Sequence, residues 1–293
     1  MSEQSKTVSL VLGAGGARGL AHIGVIQWLT ENGYTIRSIS GASMGALVGG
    51  IYATGKLATY AEWVLALERM EVLRLLDPAF GRDGLFKGER IIGLLRELTG
   101  DCDIRELPLS YTAVAMDLES GKEVWLREGK LYDAIRASMA IPLLLTPVRS
   151  NGRTLVDGGL VNPVPIGPTL NDTTDLTIAV NVGGRYEARQ ETTPTEPISD
   201  ENDYRKRIHA FVESLLSTRE PVLASPGMID IALRCMEAME NTIARLKMAA
   251  YAPDVTIEIP RNACRIHEFW RAEEMIALGR ERTARVFNAN GFH

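Results

Sequence analysis

Apolar and polar positions at the start of the chain follow two different periods in turn. Residues 7–12, TVSLVL, form a near-continuous apolar run, as expected of a strand buried on both faces. GAGGARG at 13–19 breaks the run. From 17 to 31 the apolar residues Leu20, Ile23, Val25, Ile26 and Leu29 recur at helical spacing, and Asn32-Gly33 ends the helix. A second short strand at 36–40 runs into GASMG and a second helix at 46–53. Strand, turn and helix thus occur twice within about 50 residues, the pattern of a parallel α/β sheet.

Further along, 59–76 reads as an amphipathic helix with Trp63, Leu67, Met70 and Leu73 on one face. DPAFGRDG is a loop, and 87–98 another helix. Residues 111–117 and 123–126 read as strands around a turn at Ser120-Gly121. A helix at 131–139 stops before Pro142, a short strand at 154–157 ends in DGG, and 176–182 is a buried strand. Residues 185–207 contain TTPTEPISDEND and almost no apolar positions, which predicts a solvated loop. A long helix follows at 226–251, with Ser225 as cap and Pro226 at its first position. Its stripe of Ile229, Leu233, Met236, Met239, Ile243 and Leu246 is expected to face the core, a lipid-facing surface being the lesser alternative. A strand at 255–259 and a helix at 269–286 complete the chain. The expected architecture is one α/β domain over 1–293, with a mainly parallel central sheet flanked by helices. Its core spans about 7–184, a polar insertion about 185–207 and a C-terminal part about 208–293.

Composition narrows the functional classes. Hydrophobic residues make up 45% and charged residues 24% of 293 residues, which is globular rather than disordered. The net charge of −5 argues against general nucleic-acid binding. Cys102, Cys235 and Cys264 are odd in number and match no zinc spacing, so reduced thiols in a cytosolic protein are expected, without metal or cofactor. No secretory signal or spanning segment is read, so the expected location is cytoplasmic, with peripheral contact the remaining route to a membrane.

Two glycine-rich turns carry the candidate chemistry. GASMG at 41–45 fits G-x-S-x-G between a strand and a helix, where a sharp turn exposes Ser43 beside the positive end of a helix. A tight turn with an idle serine fits about as well. GAGGARG at 13–19 can gather backbone N–H groups around an anion. It fails the dinucleotide fingerprint because Arg18 stands where glycine is needed and no acid ends the second strand. A Walker loop is excluded because no G-K-[ST] follows. A serine nucleophile needs a base. His267 would permit the order Ser43, Asp157, His267, although only one strand precedes the serine. Asp157 in VDGG is the other candidate, against the plainer reading of a surface turn. His22, inside the first helix, reads as structural, and His293 is the terminal residue.

Taken together, GAGGARG, GASMG and VDGG in this order resemble the patatin-like phospholipase family. GARGLAHIGVI, SMAIPLLLTPV at 138–148, DGGLVNPVPI and APDVTIEIP resemble its bacterial branch related to neuropathy target esterase, so the likeness covers most of the chain. Ala14 departs from it where many relatives carry glycine. The resemblance implies a serine–aspartate dyad without histidine: Ser43 as nucleophile, Asp157 as general base, and Gly15, Gly16, Ala17 and Arg18 as the oxyanion loop. It implies hydrolysis of phospholipid, lysophospholipid or simple acyl esters. The Arg18 side chain has two readings, an acidic-head-group contact or a structural ion pair. Leu73, Leu75, Leu76, Leu85 and Phe86 are candidate acyl-chain contacts. The alternative is a regulatory or lipid-binding protein that keeps the fold without turnover.

Overall fold

The computed structural model describes residues 6–79, 84–187 and 227–290. Eight strands form one mixed sheet in the order β5-β6-β3-β2-β1-β7-β8, with β4 on the other edge of β3. β1 (Thr7–Leu12) lies centrally between β2 (Thr35–Ala42) and β7 (Leu176–Gly184). β3 (Ser110–Asp117) extends the parallel set beside β2, and β8 (Val255–Pro260) does so beside β7. The antiparallel pairings are at β4 (Glu123–Leu126), β5 (Val148–Ser150) and β6 (Arg153–Asp157). The apolar run of β1 is explained by its position, since Val8, Leu10, Val11 and Leu12 are fully buried under helices on both faces.

Residues 16–31 form a 3-10 turn (Gly16–Leu20) leading into α1 (Ala21–Glu31), and α2 (Met44–Ala53) follows β2. The helix expected at 59–76 is two helices, α3 (Leu57–Ala66) and α4 (Arg69–Arg74). Leu67 is extended, and Glu68 and Glu71 form a capping box that restarts the helix, which a pattern of apolar spacing alone does not register. α5 (Glu89–Thr99) and α6 (Leu131–Ser138) precede β5 and β6, a short hairpin of which only the second strand was expected.

The C-terminal part belongs to the same sheet. Its helices are α7 (Met228–Tyr251) and α8 (Ala272–Asn290), either side of β8. α8 packs along α1, and Phe287 meets Trp28 and Tyr34 at centroid distances of 4.9 and 5.1 Å. Gly24 and Gly279 let these helices touch, because a Cβ on either would stand within 2.0 Å of a carbonyl oxygen opposite. The start of the polar segment is tied down rather than free: Arg282 bonds both carboxylate oxygens of Glu187 at 2.6 and 2.7 Å. The rest of the expected insertion, with Ser225 and Pro226, lies outside the described residues.

The stripe expected to bury α7 does so only in part. Ile229, Leu233, Met236 and Ile243 are half-buried, whereas Met239 is 57% and Leu246 66% exposed, and Asn241 and Ala244 are the buried positions, with Glu237 and Glu240 turned inward beside them. The inward face is therefore rotated from the stripe toward the acids, which leaves the far edge of the stripe outside.

Candidate active site

β3 organises the site. β2 runs parallel to β3 and ends at Ala42 opposite Val114. β6 runs antiparallel and ends at Asp157 opposite Ala115. β4 occupies the other edge of β3 at the same residues, so β2 and β6 approach each other end to end along one edge. The residue after β2 is Ser43 and the last of β6 is Asp157. Their side chains face each other, close enough for the Ser43 hydroxyl to stabilise the Asp157 carboxylate.

The local sequence makes each end. Ser43 is the N-cap of α2 at φ 53° and ψ −122°, a conformation that costs a residue bearing a Cβ. Gly45 makes this turn possible, since a Cβ there would lie 2.0 Å from the Leu12 carbonyl oxygen. The Ser43 amide donates to Ser138 Oγ at 3.0 Å, and that hydroxyl donates to the Val114 carbonyl at 2.6 Å. Ser138 therefore pins the turn to β3. Gly158 lets the other end press against β3, because its Cβ would meet the Val114 carbonyl oxygen at 2.0 Å. The Gly159 amide donates to Asp157 Oδ1 at 2.7 Å, and the Asp157 amide to the Ala140 carbonyl at 3.0 Å.

Asp157 is 3% exposed, and burial raises its pKa to about 6; the bonds from Ser43 and Gly159 pull it back only in part. Ser43 is equally enclosed at 3%.

The 13–19 loop follows β1 beside this point. The Gly13 amide donates to the Val180 carbonyl at 3.0 Å and that of Ala14 to Pro163 at 2.8 Å. The Ala17 amide donates to the Ile266 carbonyl at 2.9 Å. Of the expected oxyanion donors, Ala17 is thus already engaged, while the Gly15 amide meets no acceptor among the described residues. Gly16 opens the 3-10 turn, ahead of its first internal bond. His22 Nε2 bonds the Gly13 carbonyl at 2.8 Å, and burial lowers its pKa to about 4, so it is a neutral prop for the loop.

The Arg18 side chain takes the structural one of its two readings: it pairs with Glu237 of α7 at 2.5 Å and bonds the Arg261 carbonyl at 2.6 Å. α7 contributes a second acid that sequence reasoning missed. Glu240 Oε1 would lie 3.5 Å from a Cβ on Gly159, next to Asp157. Burial, then the Asp157 and Glu237 charges, raise its pKa to about 8, against the opposing pull of Arg18. The signal was the pair of carboxylates three residues apart, masked by the apolar residues that surround it on the same helix. His267 is not brought to the dyad by any described contact. It faces Trp270 at 6.0 Å, and burial lowers its pKa to about 4. Among the candidate acyl-chain contacts, Leu75 lines a cavity of about 280 Å³ with Trp63, Leu67 and Leu94. Leu85 and Phe86 are buried, with Phe86 bridging to Leu145, and Leu73 and Leu76 are half-buried.

A family model described as patatin-like phospholipase matches residues 10–170, which hold both turns and Asp157. The chain belongs to the patatin-like phospholipase family. An uncharacterised NTE family protein of Mycobacterium bovis is 37% identical, covering 97% of this chain and 92% of that protein. Patatin-like phospholipase domain-containing protein 6 of Mus musculus is 30% identical over 62% of this chain and 14% of its own length. Among solved structures, VipD from Legionella pneumophila matches with a TM-score of 0.49 and 15% identity, over 97% of this chain and 67% of its own. No helix among the described residues is long and apolar enough to cross a membrane.

Proposed function

We propose that this patatin-like protein is a serine lipid acyl hydrolase, with Ser43 as nucleophile and Asp157 as general base. The observation that carries the reading is the end-to-end approach of β2 and β6, which joins a strained N-cap serine to a buried carboxylate. Ser43 Oγ attacks the ester carbonyl carbon as its proton passes to Asp157. Charge developing on the carbonyl oxygen is met by the amides of Gly15 and Gly16 and by the amino end of α2. The tetrahedral intermediate collapses, and the proton on Asp157 goes to the departing alcohol or lysolipid. Water then attacks the acyl-enzyme with Asp157 again as base, releasing the fatty acid and restoring Ser43.

A carboxylate is an intrinsically weak base for a hydroxyl. Burial narrows the gap by lifting Asp157 to about 6, closer to the operating pH, where general-base catalysis is most efficient. The remaining barrier falls to preorganised donors, each worth about 10²–10³ in rate.

The test is a panel of p-nitrophenyl esters and lysophospholipids. Wild-type protein is expected to turn over at least one ester class, and Ser43→Ala to lower kcat by about 10³ or more. Absence of turnover on every ester would favour the non-enzymatic alternative.

A further inference from the structure

α7 packs on the core through Ala244 and Met248 and also carries apolar residues on its outward side. Its inward positions Glu237, Glu240 and Asn241 lie over the Gly158–Leu160 turn and the end of β7, which makes α7 the roof above Asp157. Outward it presents Met228, Ile231, Met239 and Leu246, exposed by 75, 48, 57 and 66%. These four fall on one helical stripe. The charged residues at exposed positions of this helix are Arg234 and Arg245, with no carboxylate among them. Asp230, half-exposed at the helix start, is paired with Arg234 at 3.0 Å. The sign of this face opposes the net −5 of the chain.

We propose that the outward face of α7 docks on an anionic lipid layer. The apolar stripe enters the boundary between head groups and acyl chains, and the arginines meet lipid phosphates. A second copy of the chain is the alternative occupant of this face, and the experiment separates the two. The biological purpose of the docking rests on the lipid hydrolase reading: it would bring the closed dyad beneath α7 against its substrate. The binding itself does not depend on turnover.

The experiment is sedimentation of the full chain carrying Ser43→Ala with vesicles of phosphatidylcholine, alone or mixed with phosphatidylglycerol. Binding is expected on the mixed vesicles. Met239→Glu with Leu246→Glu is expected to weaken it by about tenfold or more. Arg245→Glu is expected to weaken it by about fivefold or more, on mixed vesicles only. Leu170→Glu, at an exposed apolar site (55%) outside α7, is expected to bind as the parent does. Melting temperatures check that each variant is folded; if the double variant unfolds, Met228→Glu replaces it. The proposal is overturned by absence of binding to mixed vesicles, or by binding indifferent to the α7 changes. It is also overturned if sedimentation velocity shows a dimer that those changes dissolve, without vesicle binding. Docking without any ester turnover by wild-type protein would keep this surface and end the hydrolase reading; turnover of soluble esters without docking would do the reverse.

Discussion

Ser43 and Asp157 both occupy positions that cost stability, one in backbone conformation and the other in charge burial. Asp157 is raised from 3.8 to about 6 on folding, so the folded state holds its proton more tightly than the unfolded chain. Its contribution to stability is therefore greatest below pH 3.8, falls as pH rises to about 6, and stays unfavourable above. Asp157→Asn is expected to raise stability at pH 7 by about 1–3 kcal/mol while abolishing ester hydrolysis. Urea titrations at a series of pH values check this, and the gain should vanish as pH falls below 4. Glu240 faces Asp157, with Glu237 and Arg18 as the other charges acting on it. The two acids titrate as a pair, and the expected kcat/KM profile for a soluble ester rises through about 6 with a second inflection near 8. Glu240→Gln should remove the upper inflection and keep the lower. Both glycine-flanked turns were legible in the sequence because few residue types fit such geometry. Glu240 was not, since nothing local says that a helix carrying six apolar residues at regular spacing turns its acids inward.

At the scale of elements, β1 and β4 begin and end where the apolar pattern puts them, and α1, β2 and β3 differ by a few residues at their ends. Those elements are defined by a buried face that dominates local preference. The split between α3 and α4 and the orientation of α7 depend instead on capping and on which neighbour is reached, neither of which a periodic pattern contains. The crossing of α1 and α8 is a second tertiary fact hidden in isolated glycines. Gly279→Ala places a methyl 2.0 Å from the Ala21 carbonyl oxygen, and the expected loss is about 3 kcal/mol, the upper end of overpacking costs. Gly93→Ala, inside α5 with nothing within 4 Å of the new methyl, should instead stabilise by about 0.5–1 kcal/mol. Urea midpoints of the two variants decide the comparison.

The whole molecule brings together residues that lie far apart in the chain. The nucleophile turn, the Asp157 strand, the 13–19 loop and α7 meet only after β1, β2, β3 and β6 have assembled, which is why no local pattern could display the site complete. The C-terminal part shares in this: Ile266 holds the Ala17 amide, and Glu237 holds Arg18. Deleting residues 227–293 should therefore expose the β7 edge and the α1 face, and far-UV circular dichroism should show loss of cooperative melting. The most direct test of the account is the rate at which a fluorophosphonate labels the folded protein, followed by mass spectrometry of the modified peptide. The account predicts an adduct on Ser43, labelling slowed by about 10³ or more in Asp157→Asn, and a rate in His267→Ala close to that of the parent. Labelling that is lost in the histidine variant, or that leaves Ser43 unmodified, would contradict it.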